Sequence, residues 1–163
     1  MKNRALAAVL IGGLIAGTLD LTYAIVFSAM HGFTAMRVMQ SVASGALGTA
    51  AYDGGAATAV LGTVLHYAIA LCAAAVYFLA SRRIPLLTQR PVLSGAIFGV
   101  CMYLFMTFVL LPLSAYPRAF KFDLTVVVAN LLAHMILFGQ PIAWAASRVP
   151  PQPERAGVAA SGM

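Results

Sequence analysis

Four long apolar runs alternate with short polar breaks, and this pattern predicts four membrane-spanning helices at about residues 5–29, 56–80, 91–113 and 124–146. The first run decides the solvent. Between Ala5 and Ala29 stand eleven strongly apolar side chains and one charge, Asp20. Each of those side chains favours insertion by roughly 0.3–0.6 kcal/mol and a central carboxylate opposes it by about 2.5–3.5 kcal/mol, so the helix inserts with Asp20 aboard. Lys2 and Arg4 precede the run as the n-region of a signal peptide would, but the run greatly exceeds a signal peptide's apolar core, and a retained first span is expected.

Phe33 to Ala51 is too polar to cross. On a helical wheel Met36, Met39, Val42, Ala43, Ala46 and Leu47 share one side, and Arg37, Gln40, Ser41 and Ser44 the other. This predicts a short amphipathic helix over about residues 34–51, lying in the membrane interface or folded back over the mouth of the bundle. Ala51 to Gly55 forms a turn with Asp53 solvated, Ser81 to Arg90 a basic loop, and Pro112 to Lys121 a turn that includes Arg118. Pro91 opens the third span. Residues 150–163, with Pro150, Pro151, Pro153, Glu154 and Arg155, are expected to be a disordered cytoplasmic tail to one membrane domain over residues 1–149. The fold class expected is an all-α membrane protein, a four-helix transmembrane bundle with a short interfacial helix between its first two spans.

Composition agrees with this. The 163 residues are 62% hydrophobic and 9% charged, far below the roughly 25% charged residues of soluble domains. A net charge of +6 could suggest nucleic acid, but the ten Lys and Arg sit at span ends and form no stripe that would track phosphates. The partner expected is the lipid bilayer, with a homo-oligomer possible and nucleic acid excluded. Seven Lys and Arg fall on the side of the termini and three on the other, which predicts cytoplasmic termini in a bacterial inner membrane. Cys72 and Cys101 lie in apolar segments without a CxxC spacing and are expected to be buried, inert thiols. Gly13 and Gly17, and again Gly95 and Gly99, are GxxxG pairs. They favour close packing within the bundle over dimerisation.

The chemistry is concentrated at one depth. Asp20, His66, Tyr103 and His134 each stand about nine or ten residues from the outer end of a span. At about 1.5 Å per residue they form one layer near the bilayer midplane, to which Asn130 and Tyr23 could be added. Three readings follow. Asp20 could accept hydrogen bonds from the histidines and Tyr103 and specify helix packing. An Asp–His pair could instead be a proton-responsive or ion-conducting site, in a component that transports protons, ions or a small solute. Two histidines on separate helices could also clamp haem or, with Asp20, a metal in a redox protein, although the small packed faces leave little room for a porphyrin. No serine adjoins the histidines, and neither HExxH nor a phosphate-binding glycine loop occurs, so the residues favour a non-enzymatic protein.

Four places resemble the small YagU-like bacterial inner-membrane proteins. They are Gly13-Leu14-Ile15-Ala16-Gly17, His66 with the following apolar span and Tyr77, Pro112-Leu113, and His134 after a loop with Phe122-Asp123. The resemblance implies the helix count and the two histidines, and it implies no biochemical activity. The chain departs from that pattern in its compact first outer segment and in Asp20.

Overall fold

Helix α1, Lys2–Met30, ends because Gly32 adopts a φ of +80°, a backbone conformation that costs other residues a steric penalty. The turn is closed by Gly32 N–H donating to the Ala29 carbonyl and Phe33 N–H to the Ser28 carbonyl, both at 3.0 Å, a Schellman cap. Thr34 then accepts from Arg37 N–H through its side chain and starts α2, Ala35–Leu47. A 3₁₀ turn, Gly48–Tyr52, leads into α3, Gly55–Ser81. After the short α4, Leu86–Gln89, come α5, Pro91–Leu113, and α6, Leu124–Ser147. Asp123 caps α6 by accepting from Thr125 N–H at 2.9 Å and Val126 N–H at 3.2 Å. This is a computed structural model, and it describes residues 2–117 and 122–149. The expected turn at Arg118 and Lys121 and the expected disordered tail lie outside the described residues.

The described residues are helical, without a strand, and α1, α3, α5 and α6 are the four helices long and apolar enough to cross a membrane. Their termini and α4 lie at one end of the bundle, called here the terminal side. The α2 segment and the α5–α6 connection lie at the other, the loop side.

The interior is rich in small residues packed around a few large ones, Tyr77, Phe78, Phe138 and Ile142. Ala16, Ala70, Ala74, Ala143 and Ala146 are buried, whereas Leu6, Val60, Leu79, Val92 and Leu113 are exposed. In water this would invert the usual order of burial. In lipid, large apolar side chains lose nothing by facing outward, and helices associate where small residues let backbones approach. Gly13 and Gly17 of α1 lie against Leu71, Ala70 and Tyr67 of α3, and Gly12 lies against Ile142 and Ala145 of α6. Gly95 and Gly99 of α5 interlock with Gly139 of α6. Both glycine pairs therefore pack inside the bundle. Cys72 and Cys101 correct the sequence reading: both are free and exposed on the outer surface. Apolar neighbours in sequence do not imply burial when the exterior is itself apolar.

Helix α2 is present, folded against α3. Gly62 of α3 receives the α2 backbone so closely that a Cβ there would collide with the Met39 carbonyl. Its buried face is Val38, Gln40, Ala43 and Ser44, while Met36, Ala46 and Leu47 are exposed. The wheel separated an apolar side from a polar one, and the bundle takes up members of both. Gln40 is satisfied inside by donating to the Gly55 carbonyl at 3.1 Å, and Ser44 donates to the Ser41 carbonyl at 2.7 Å.

Candidate functional site

Two prolines shape the helices that carry the site. Pro112 and Pro141 lack the N–H that would bond the carbonyl four residues back, and their rings crowd it, so the preceding turn widens. That turn is π-helical in both cases, Met106–Leu110 before Pro112 and His134–Gly139 before Pro141. Leu111 N–H accordingly donates to the Met106 carbonyl, five residues back. The wide turn of α6 begins at His134.

Asp20, Tyr103 and His134 each stand ten residues from the loop-side end of their helix, and His66 stands eleven. They form one layer about 15 Å along the helices. All four, with Asn130, line one cavity of about 1240 Å³. It extends from the layer toward the loop side, walled by α1, α5 and the first half of α6, with Val38, Ser41 and Val42 of α2 along another side and Tyr116 from the connection after α5. Helix α1 packs along the second half of α6, from His134 onward, while Leu124–Ala133 rests chiefly on α5. The helices α1 and α6 thus part above the layer, and the cavity occupies the gap. Ala115 N–H donates to the Gly45 carbonyl at 2.9 Å and ties the α5–α6 connection to α2.

Within the layer the hydrogen bonds differ from the expected network. His66 Nε2 meets the Gly17 carbonyl at 2.9 Å and His134 Nδ1 meets the Asn130 carbonyl at 2.9 Å. A carbonyl only accepts, so each of those nitrogens carries its proton. His66 Nδ1 and His134 Nε2 are the ring nitrogens that these contacts leave without a hydrogen bond among the described residues. Asp20 accepts no hydrogen bond from His66, His134 or Tyr103. Its nearest ionisable contact is His134 Nδ1, at 4.0 Å from Asp20 Oδ1, and the side chains remain 15% and 18% exposed. The reason is local: a carbonyl one turn away on its own helix, or on α1 across the Gly17 contact, is nearer to each imidazole than the short Asp20 side chain. Tyr103 packs edge-on against His134, ring centroids 5.6 Å apart, and Asn130 donates to the Val126 carbonyl at 2.8 Å.

Tyr23 does not line the cavity. Its ring stacks on Phe27 at 5.5 Å, and its hydroxyl is buried without a hydrogen-bond partner among the described residues. Conversely, Ser28, Thr107 and Tyr116 line the cavity and were missed. Helical spacing held the signal for two of them: Ser28 lies two turns beyond Asp20, and Thr107 one turn beyond Tyr103. Among the described residues no three His, Cys, Asp or Glu side chains converge on a metal position.

The terminal side is held by a separate set of polar contacts. The Arg82 guanidinium donates to the carbonyls of Val149 at 3.1 Å and Ala146 at 3.4 Å and lies 4.6 Å over the Phe78 ring. Burial pushes Arg82 below the ordinary arginine range. The Tyr77 hydroxyl lies 2.9 Å from both the Leu87 carbonyl and Ser94 Oγ, and Gln140 donates to the Val92 carbonyl at 2.8 Å. These bonds fix one end of the bundle and leave the cavity at the other.

Fold and site together define a class: an all-helical chain with four membrane-length helices around an acid–imidazole cavity. No protein-family model, curated protein or solved structure matches the chain.

Proposed function

We propose that this is a multi-pass bacterial inner-membrane protein, termini in the cytoplasm, whose cavity is a proton-responsive binding site for a small solute. The observation that carries the reading is the Asp20 carboxylate, placed in a cavity of about 1240 Å³ with no hydrogen bond from the described residues and His134 at 4.0 Å. A purely structural carboxylate in such a setting is expected to be paired and enclosed. At about 1240 Å³ the cavity is larger than the roughly 300–1,000 Å³ of most ligand pockets, and like them it has a mainly apolar wall with a few convergent polar groups. Protonation of His134 turns its contact with Asp20 into an ion pair, whereas protonation of Asp20 removes the charge. Either event changes what the cavity attracts.

The titratable groups around Asp20 are Tyr23 on its own helix, His66 on α3, Tyr103 on α5, His134 on α6 and Tyr116 in the connection. Helix α2 adds none to the lining, and its Arg37 lies 3.8 Å over the Tyr52 ring. The outward-facing large side chains and small-residue interior support insertion in lipid, and the excess of Lys and Arg on the terminal side supports the orientation. The YagU-like likeness bears only on the helix count and on His66 and His134, not on Asp20 or a ligand.

Carbodiimide labelling tests it, because only a protonated carboxylic acid reacts. In the full chain in lipid nanodiscs, labelling of Asp20, read by mass spectrometry, should fall as pH rises, and the pH profile should change in His134→Gln. Labelling that is flat from acid to alkaline pH, or a profile untouched by His134→Gln, overturns the proposal.

A further inference from the structure

The cavity's electrostatics and its shape together select one ligand chemistry. Among the described residues of the lining Asp20 is the sole Asp or Glu, and no Lys or Arg is found there. Among the described lining residues a ligand anion would meet a carboxylate with no Lys or Arg to offset it, so with the imidazoles uncharged the site favours a cation. Most of the wall above the layer is apolar, including Leu21, Val42, Met106, Leu111 and Val126. A hard inorganic cation needs about six oxygen ligands. Ser28, Thr107 and Asn130 add neutral side-chain oxygens to the lining, but the two carbonyls at the layer, those of Gly17 and Asn130, already accept from the imidazoles and Asp20 offers the one carboxylate among the described residues. Tyr103, in the same lining as Asp20, instead supplies aromatic surface of the kind that organic cations bind.

We infer that the cavity binds lipophilic organic cations, of the hydrophobic amine or quaternary type, with the charge at Asp20 and the apolar body against α2 and α5. This rests on the proposed binding site and names its ligand class. A protonated Asp20 has no charge to offer, so cation and proton compete for one carboxylate.

The test uses tetraphenylphosphonium, with tetraphenylborate as its anionic twin of nearly equal size and shape, on the full chain in nanodiscs. Tetraphenylphosphonium should protect Asp20 from carbodiimide and bind at least about tenfold more weakly in Asp20→Asn, while Asp20→Glu keeps most of the affinity. Tetraphenylborate should neither protect nor bind. Equal binding of the two ions, unchanged tetraphenylphosphonium affinity in Asp20→Asn, or protection by sodium alone overturns the inference. A pH- and His134-dependent labelling profile without protection by tetraphenylphosphonium overturns the ligand class alone. A flat profile overturns the site and this inference together.

Discussion

Gly99 of α5 lies directly against the main-chain carbonyl of His134, so closely that a Cβ on Gly99 would overlap it. The helix crossing thereby positions the imidazole, because His134 opens the π-helical turn and its carbonyl is the contact point. One added methyl must force α5 and α6 apart. Gly99→Ala should destabilise the bundle by about 1–3 kcal/mol, the usual cost of overpacking. It should also change the pH profile of Asp20 labelling. A thermal unfolding series in detergent measures the first effect, and an unchanged midpoint and profile would show that the crossing is looser than described.

Asp20→Asn separates a binding residue from a packing residue. The carboxylate accepts no hydrogen bond from His66, His134 or Tyr103, and a lone charge in an apolar cavity is costly to maintain. The variant should match or exceed the wild type in thermal stability, by up to about 1–2 kcal/mol. A loss of more than about 2 kcal/mol would instead mark Asp20 as a structural anchor.

Arg82 ties the end of α3 to the carbonyls of Ala146 in α6 and Val149 just beyond it, and stacks on Phe78. Arg82→Lys keeps a charge but loses the planar fork, and Arg82→Met loses both. The expected cost is about 1–3 kcal/mol for Met and less for Lys, read from unfolding in detergent. Because Arg82 stands on the terminal side, Asp20 labelling should not change in either variant. A changed profile would reveal coupling between the two ends.

Cys72 and Cys101 face outward from apolar stretches of α3 and α5. In intact membranes they should be protected from charged, impermeant maleimides and accessible to small apolar ones once the membrane is dissolved in detergent. Rapid labelling of either by the charged reagent before solubilisation would contradict burial of those faces in lipid.

The helix count and the depth of the polar layer were legible in the sequence for one reason: apolar runs and a rise of about 1.5 Å per residue are local properties. Asp20, His66, Tyr103 and His134 could therefore be placed at one level before any contact was known. Direction around the helix was far less legible. The outside of this bundle is as apolar as its inside, so hydrophobicity could not reveal that Cys72 points outward, that α2 buries Gln40 and Ser44, or that Tyr23 leaves the cluster. The sequence by itself determined that the chain has membrane-length helices and that acid and imidazole share a depth. Tertiary structure alone decided that backbone carbonyls accept hydrogen bonds from the imidazoles, that Pro112 and Pro141 open the turns beside the layer, and that parted helices leave a cavity over Asp20. Hydrogen bonds and voids depend on which neighbour is nearest across the bundle, and that distance is set by the glycine contacts between helices.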